Sequence, residues 1–168
     1  MKSLVFVLLS LALVSCWPKS ISFVDKNMPE EWKTFSVKTF ENNAANTPLS
    51  YAATFSEKVK DAVQSNTSLL LNPSTGQGEV LIEGVITNYS VSPIAIQPGD
   101  NSEKNRLSIS ISYTVFISKP KEDEIKFTAT RFIDYDSNTD LASVESVLLD
   151  EVNAQLIQDL INKLMSNW

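Results

Sequence analysis

The chain has 168 residues, one domain's worth, and its 43% hydrophobic and 20% charged residues suit a packed core rather than disorder. Its formal net charge is −6 and no run of four basic residues occurs, which argues against nucleic-acid binding, where phosphates call for clustered Lys and Arg. There is no His and one Cys, so Ser-His-Asp and Cys-His catalysis, His-Cys zinc sites and an internal disulfide are all excluded.

Lys2 gives a positive start, and Leu4 to Val14 is an apolar run shorter than the roughly 20 residues of a spanning helix. Leu13-Val14-Ser15-Cys16 follows. It resembles the bacterial lipobox, with a bulky apolar residue three before Cys and a small residue immediately before it. The resemblance implies a signal peptide over residues 1–15, a diacylglycerol on the Cys16 sulfur, cleavage before Cys16, and an acyl chain on the new amine. Several chains on one residue are enough for stable anchoring. The alternatives are an ordinary signal peptide with an incidental Cys, or an uncleaved anchor. Residues 16–31 contain two prolines and little periodicity, and read as lipidated Cys and tether to a single domain over 32–168. The first residues after Cys16 carry no acid, which favours the periplasmic face of the outer membrane.

Thr34 to Phe40 predicts a strand, with Phe35 and Val37 alternating against Ser36 and Lys38. Thr47-Pro48 predicts a helix start, with Thr as N-cap and Pro at the first helical position. The helix runs to about Ser65, with Ala52, Phe55, Val59, Ala62 and Val63 as its buried stripe. Thr67 to Leu71 predicts a short strand, and 72–78, with one Pro and two Gly, a turn. Val80 to Tyr89 predicts a strand reaching towards Ile96, in which Gly84 marks a bulge or close packing and Pro93 a kink or an edge. Beyond a polar loop at 97–105, Leu107 to Ile117 is the clearest strand. Leu107, Ile109, Ile111, Tyr113, Val115 and Ile117 alternate with Ser108, Ser110, Ser112, Thr114 and Phe116, giving one buried and one hydroxyl-rich face. A charged loop at 119–124 precedes a strand from Ile125 to Tyr135. Ser143 to Met165 predicts a long helix. Val144, Leu148, Val152, Leu156, Leu160 and Leu164 step by four, with Val147, Leu149, Ile157 and Ile161 widening the stripe.

Consecutive strands joined by short loops pair antiparallel, and two amphipathic helices need one apolar sheet face to cover. The expected fold is α+β: a two-layer sandwich with a mostly antiparallel sheet of four to five strands, covered on one face by two helices.

Several segments, in this order, carry a family resemblance. They are the lipobox, strand 34–40 with its sequel Phe40-Glu41-Asn42-Asn43, the first helix, the run Gly84-Val85-Ile86-Thr87-Asn88-Tyr89-Ser90-Val91-Ser92-Pro93, then Asn105-Arg106-Leu107, the run Arg131-Phe132-Ile133-Asp134-Tyr135-Asp136-Ser137, and a long final helix ending at Asn167-Trp168. Order and spacing together resemble the LptE family, the lipopolysaccharide-assembly lipoproteins, over nearly the whole mature chain. That resemblance implies two helices on a sheet of about four strands. It also implies an outer-membrane lipoprotein that plugs the β-barrel translocon LptD, assists the barrel's assembly and binds lipopolysaccharide, with no catalysis and no cofactor. Outside the resemblance, the chain reads as a free-standing periplasmic lipoprotein binding a small ligand or another envelope protein. A calcium-dependent envelope module is a third reading.

Candidate ligand-binding residues are Arg131, Lys121, Lys126 and Arg106. Arg131 shares an alternating row with Ile125, Phe127, Ala129 and Ile133, and a charge there needs a partner or an exit to water. A guanidinium beside apolar surface suits a lipid phosphate; a bulge or strand end that turns it outward, or an ion pair with an acid such as Asp134, is the reading favoured. Lys119, Lys121 and Lys126 cluster at one hairpin and Lys104 and Arg106 at the other, diluted by Glu103, Glu122, Asp123 and Glu124, which also describes a solvated loop. Asp134, Asp136, Asn138, Asp140 and Glu145 occupy positions 1, 3, 5, 7 and 12 of an EF-hand-like loop. Thr139 stands where that loop needs Gly and a strand precedes it, so an Asx-rich turn accounts for the same residues and no metal is expected. Phe116, and with it Phe132, falls on the polar face, where aromatics anchor an interface or pack against the tether or a loop.

Overall fold

The structure, a computed structural model, describes residues 28–74, 76–94 and 103–166. The signal segment, Cys16, most of the tether and the 97–102 stretch of the polar loop lie outside the described residues. Eight elements follow in chain order: β1 (Thr34–Val37), β2 (Glu41–Asn42), α1 (Tyr51–Asn66), β3 (Leu70–Leu71), β4 (Val80–Ile94), β5 (Lys104–Ile117), β6 (Asp123–Asp136) and α2 (Leu141–Met165).

The sheet runs β3-β1-β4-β5-β6, with β2 also beside β4. As expected, β4, β5 and β6 are consecutive, long and antiparallel. The three short strands depart from the expectation: β1 pairs parallel with both β3 and β4, and β2 parallel with β4, so the sheet is mixed and has six strands. For β1 and β3 the physical reason is α1: a strand followed by a crossover helix returns to the same end of the sheet, and its successor therefore runs parallel to it. The helix-free stretch 72–79 then brings the chain back so that Val80 starts β4 opposite Phe35, parallel to β1.

The first strand stops at Val37 rather than Phe40. Phe40 turns its N–H to the buried Oγ of Ser56 on α1, 2.9 Å away. Its ring packs edge-on against Phe55 and Tyr113, with centroids 5.2 and 5.8 Å away, and covers Gly84. Gly84 is thus a close-packing glycine. The bulge lies three residues on, at Thr87, where the β4–β5 register slips between Ile86 and Asn88. That slip reverses the phase of β4: Val80, Ile82 and Ile86 point inward before it and Tyr89 after it. No described strand flanks β4 on its outer side beyond Ile86, so Pro93 stands at an edge, where its missing N–H is harmless.

The helix expected from Pro48 begins at Tyr51. Thr47 does not cap it; its hydroxyl donates to the Ala44 carbonyl at 3.1 Å, closing a local turn instead. Phe55, Val59 and Val63 are buried as the stripe predicts, with Ala52 and Ala62 at its margin. On α2 the stripe is Leu148, Val152, Leu156, Ile157, Leu160, Ile161 and Leu164, all buried. Val147 leaves it, 67% exposed, because it falls on the far side of the helix from Leu148 and Val152. Asn153 enters it, and its Oδ1 accepts the Tyr51 hydroxyl at 2.6 Å, a buried bond between the two helices. Both helices lie on one sheet face, over Phe35, Ile82, Ile86, Ile109, Ile111 and Tyr113. The Tyr113 hydroxyl donates to the Leu156 carbonyl at 3.1 Å and ties β5 to α2.

Candidate interaction surfaces

The opposite sheet face has no described layer over it. Register places Val85, Ser112 and Thr128 in one cross-strand row, Asn88, Ser110 and Thr130 in the next, and Ser90, Ser108 and Phe132 in a third. Short hydroxyl and amide side chains make this surface flat, and they bond to one another and to the backbone. Ser110 and Thr130 hydroxyls are 2.8 Å apart, Asn88 Nδ2 donates to Ser90 Oγ at 3.0 Å, and Thr87 donates to the Ser110 carbonyl at 3.2 Å. A polar sheet face of this kind gains little from burial against an apolar layer and suits a wet, hydrogen-bonding partner.

Two aromatics bracket the hydroxyl field. Phe116 is 39% and Phe132 49% exposed, on the open face as the alternation implies, and near opposite ends of it. Arg106 lies over the Phe132 ring, 3.7 Å from its centroid, and makes a bidentate pair with Asp134 at 2.7 and 2.9 Å. That pairing raises the Arg106 pKa and lowers that of Asp134. Arg131 is on the helix side, as its row predicts. Its partner is Asp159 of α2, not Asp134: Nε donates to Oδ2 at 2.8 Å and Nη2 to Oδ1. The sequence carries one sign of Asp159 as a partner, an acid at the margin of the α2 stripe between Ile157 and Ile161.

The four candidate cations are not brought together. Arg106 and Lys126 share the open face, but their rows are eight β6 positions apart, roughly 26 Å along a strand. Lys126 pairs with Glu124 at 2.8 Å, and Lys121 is exposed in the hairpin, without an ion pair among the described residues. Lys104 and Arg106 stand at the opposite end of β5 from the Lys119–Lys126 hairpin.

The calcium-loop spacing is not realised as a site. Asp134 is engaged by Arg106, Asp136 accepts from Asn138 at 2.8 and 3.0 Å, and Glu145 accepts the Tyr89 hydroxyl under α2. Among the described residues no three acids converge as metal ligands. The Asx turn leading into α2 accounts for the pattern.

Two helices on one face of a mixed sheet, with a polar face left open, define an α+β two-layer domain with a single core. Residues 32–164, nearly the whole domain, match the family model LptE, lipopolysaccharide-assembly, and the chain belongs to that family. Among solved structures, the chain resembles the hypothetical protein CT253 from Chlamydia trachomatis, at 13% identity and a TM-score of 0.54, covering 80% of this chain and 96% of that one. It also resembles a homologue of neuraminyllactose-binding hemagglutinin from Helicobacter pylori, at 15% identity and a TM-score of 0.55, covering 90% of each chain. At such identities the likeness concerns the fold alone. No curated protein matches the chain in sequence.

Proposed function

We propose that this protein is an outer-membrane lipoprotein, held at the periplasmic face by acyl chains on Cys16. In this reading it is a non-enzymatic subunit of the lipopolysaccharide transport machinery that docks in the β-barrel translocon LptD and assists the barrel's assembly. The family match over 32–164 carries the proposal. The surface chemistry supports it. The lumen of an outer-membrane barrel is polar, and the field around Ser110, Ser112, Thr128 and Thr130 offers it hydroxyl groups on a flat sheet whose apolar side is already covered.

Direct lipopolysaccharide contact through Arg106 or Arg131 would require phosphate to displace Asp134 or Asp159. Lys121 is the candidate cation without an ion pair among the described residues. The proposed role is therefore docking in the barrel, with lipopolysaccharide as cargo of the complex. A detergent pull-down of full-length tagged protein from its native outer membrane, read by mass spectrometry, tests it. The expected result is a large β-barrel in near-stoichiometric yield. An acylated protein that purifies alone would leave the free-standing lipoprotein as the account.

A further inference from the structure

The end of the sheet at the β5–β6 hairpin holds a cavity of about 500 Å³ between that hairpin and the turn before β4. Leu81 and Phe116 give it apolar lining, and Glu79, Glu122, Asp123 and Glu124 give it acidic lining. Glu79 has Lys119 at 3.4 Å and Glu124 has Lys126 at 2.8 Å, while Glu122 and Asp123 make no ion pair among the described residues. An exposed aromatic beside unpaired carboxylates matches a segment that is both apolar and basic.

Such a segment lies in this chain. Residues 17–27 carry Lys19 and Lys26 against Asp25, with Ile21 and Phe23 in alternation. The domain takes up the chain beside the cavity: Trp32, buried, donates its indole N–H to the Lys119 carbonyl at 2.8 Å, next to Ser118 of the cavity wall. From Trp32 back to Phe23 is nine residues, up to about 30 Å of extended chain, ample to reach Phe116. We propose that the 17–27 segment docks in this acidic-apolar cavity, Phe23 or Ile21 against Leu81 and Phe116 and its lysines towards Glu122 and Asp123. Docking would hold the domain at a fixed orientation to the membrane anchor instead of leaving it on a free leash. The inference stands apart from the barrel reading, since it needs no second protein.

The test uses full-length protein purified in detergent, with a photo-reactive benzoylphenylalanine in place of Phe116. The expected product is a cross-link within one chain to a peptide of residues 17–27, and the N-terminus of that peptide reports separately whether processing occurred at Cys16. In the double variant Glu122→Lys, Asp123→Lys the yield should fall several-fold. It should recover when Lys19→Glu and Lys26→Glu are added, with the thermal midpoint unchanged throughout. Cross-links only to lipid, a second copy or another protein, or none, would overturn the proposal, as would a yield indifferent to the charge reversal.

Discussion

Glu79 shows how one side chain fastens the sheet's short-strand side. Thr34 donates to its carboxylate through the hydroxyl at 2.5 Å and the backbone N–H at 2.8 Å, and with Lys119 near, these hold its pKa down at about 2, against an ordinary 4.5. A carboxyl whose folded value is the lower one stabilises the fold above its unfolded value, and that contribution fades as pH falls from about 4.5 through about 2. Glu79→Gln should therefore cost about 1 kcal/mol at neutral pH, a modest figure because solvent screens the site. Urea unfolding of wild type and variant at stepped pH should show that difference closing towards pH 2; a constant difference would refute the assignment. Gly84 is the second telling residue. A Cβ there would lie 2.1 Å from Phe40 Cε1, and the ring is hemmed in by Phe55 and Tyr113. Gly84→Ala should destabilise by about 1–3 kcal/mol through overpacking, measured by the same unfolding.

At the scale of elements, the two helices are joined by a buried polar bond, Tyr51 to Asn153, and by the exposed Lys58–Asp150 ion pair. Tyr51→Phe or Asn153→Leu leaves one buried group unsatisfied and should cost about 1–3 kcal/mol each. The pair Tyr51→Phe with Asn153→Leu removes both groups and should lose less than the sum of the single changes; calorimetric melting that shows strict additivity would count against the coupling. What the sequence discloses varies by element. β5 announces both its faces, because eleven residues of alternation from Leu107 to Ile117 leave one interpretation. Both helices are legible from their stripes. β2 and β3, two residues each, are too short to show a period, and the parallel pairing of β1 depends on where α1 returns the chain. The Thr87 bulge is silent in composition because Ile86 and Tyr89 point inward whichever residue is extruded. The site follows the same rule. The conflict at Arg131 is visible in its row, whereas its partner Asp159 is 28 residues on and in the other layer, a relation only packing reveals.

For the whole molecule, both helices cover one face, and the opposite face is polar with no other element over it among the described residues. That asymmetry separates what folds the domain from the face that the proposed barrel contact would use. Ser110→Arg with Thr130→Arg should leave the thermal midpoint within a few degrees, since both positions are on the open face outside the core. The same double variant should sharply reduce co-purification of the barrel. If it leaves barrel recovery intact, this face is not the contact.

The central claim, that the open sheet face meets an outer-membrane barrel, is tested most directly by a photo-reactive residue in place of Ser112, at the middle of that face. Irradiation of intact cells that express the full-length protein should yield one dominant adduct with a large β-barrel protein. An acylated, folded protein that forms no barrel adduct at Ser112, while an equivalent probe at exposed Val147 on α2 does, would contradict the account.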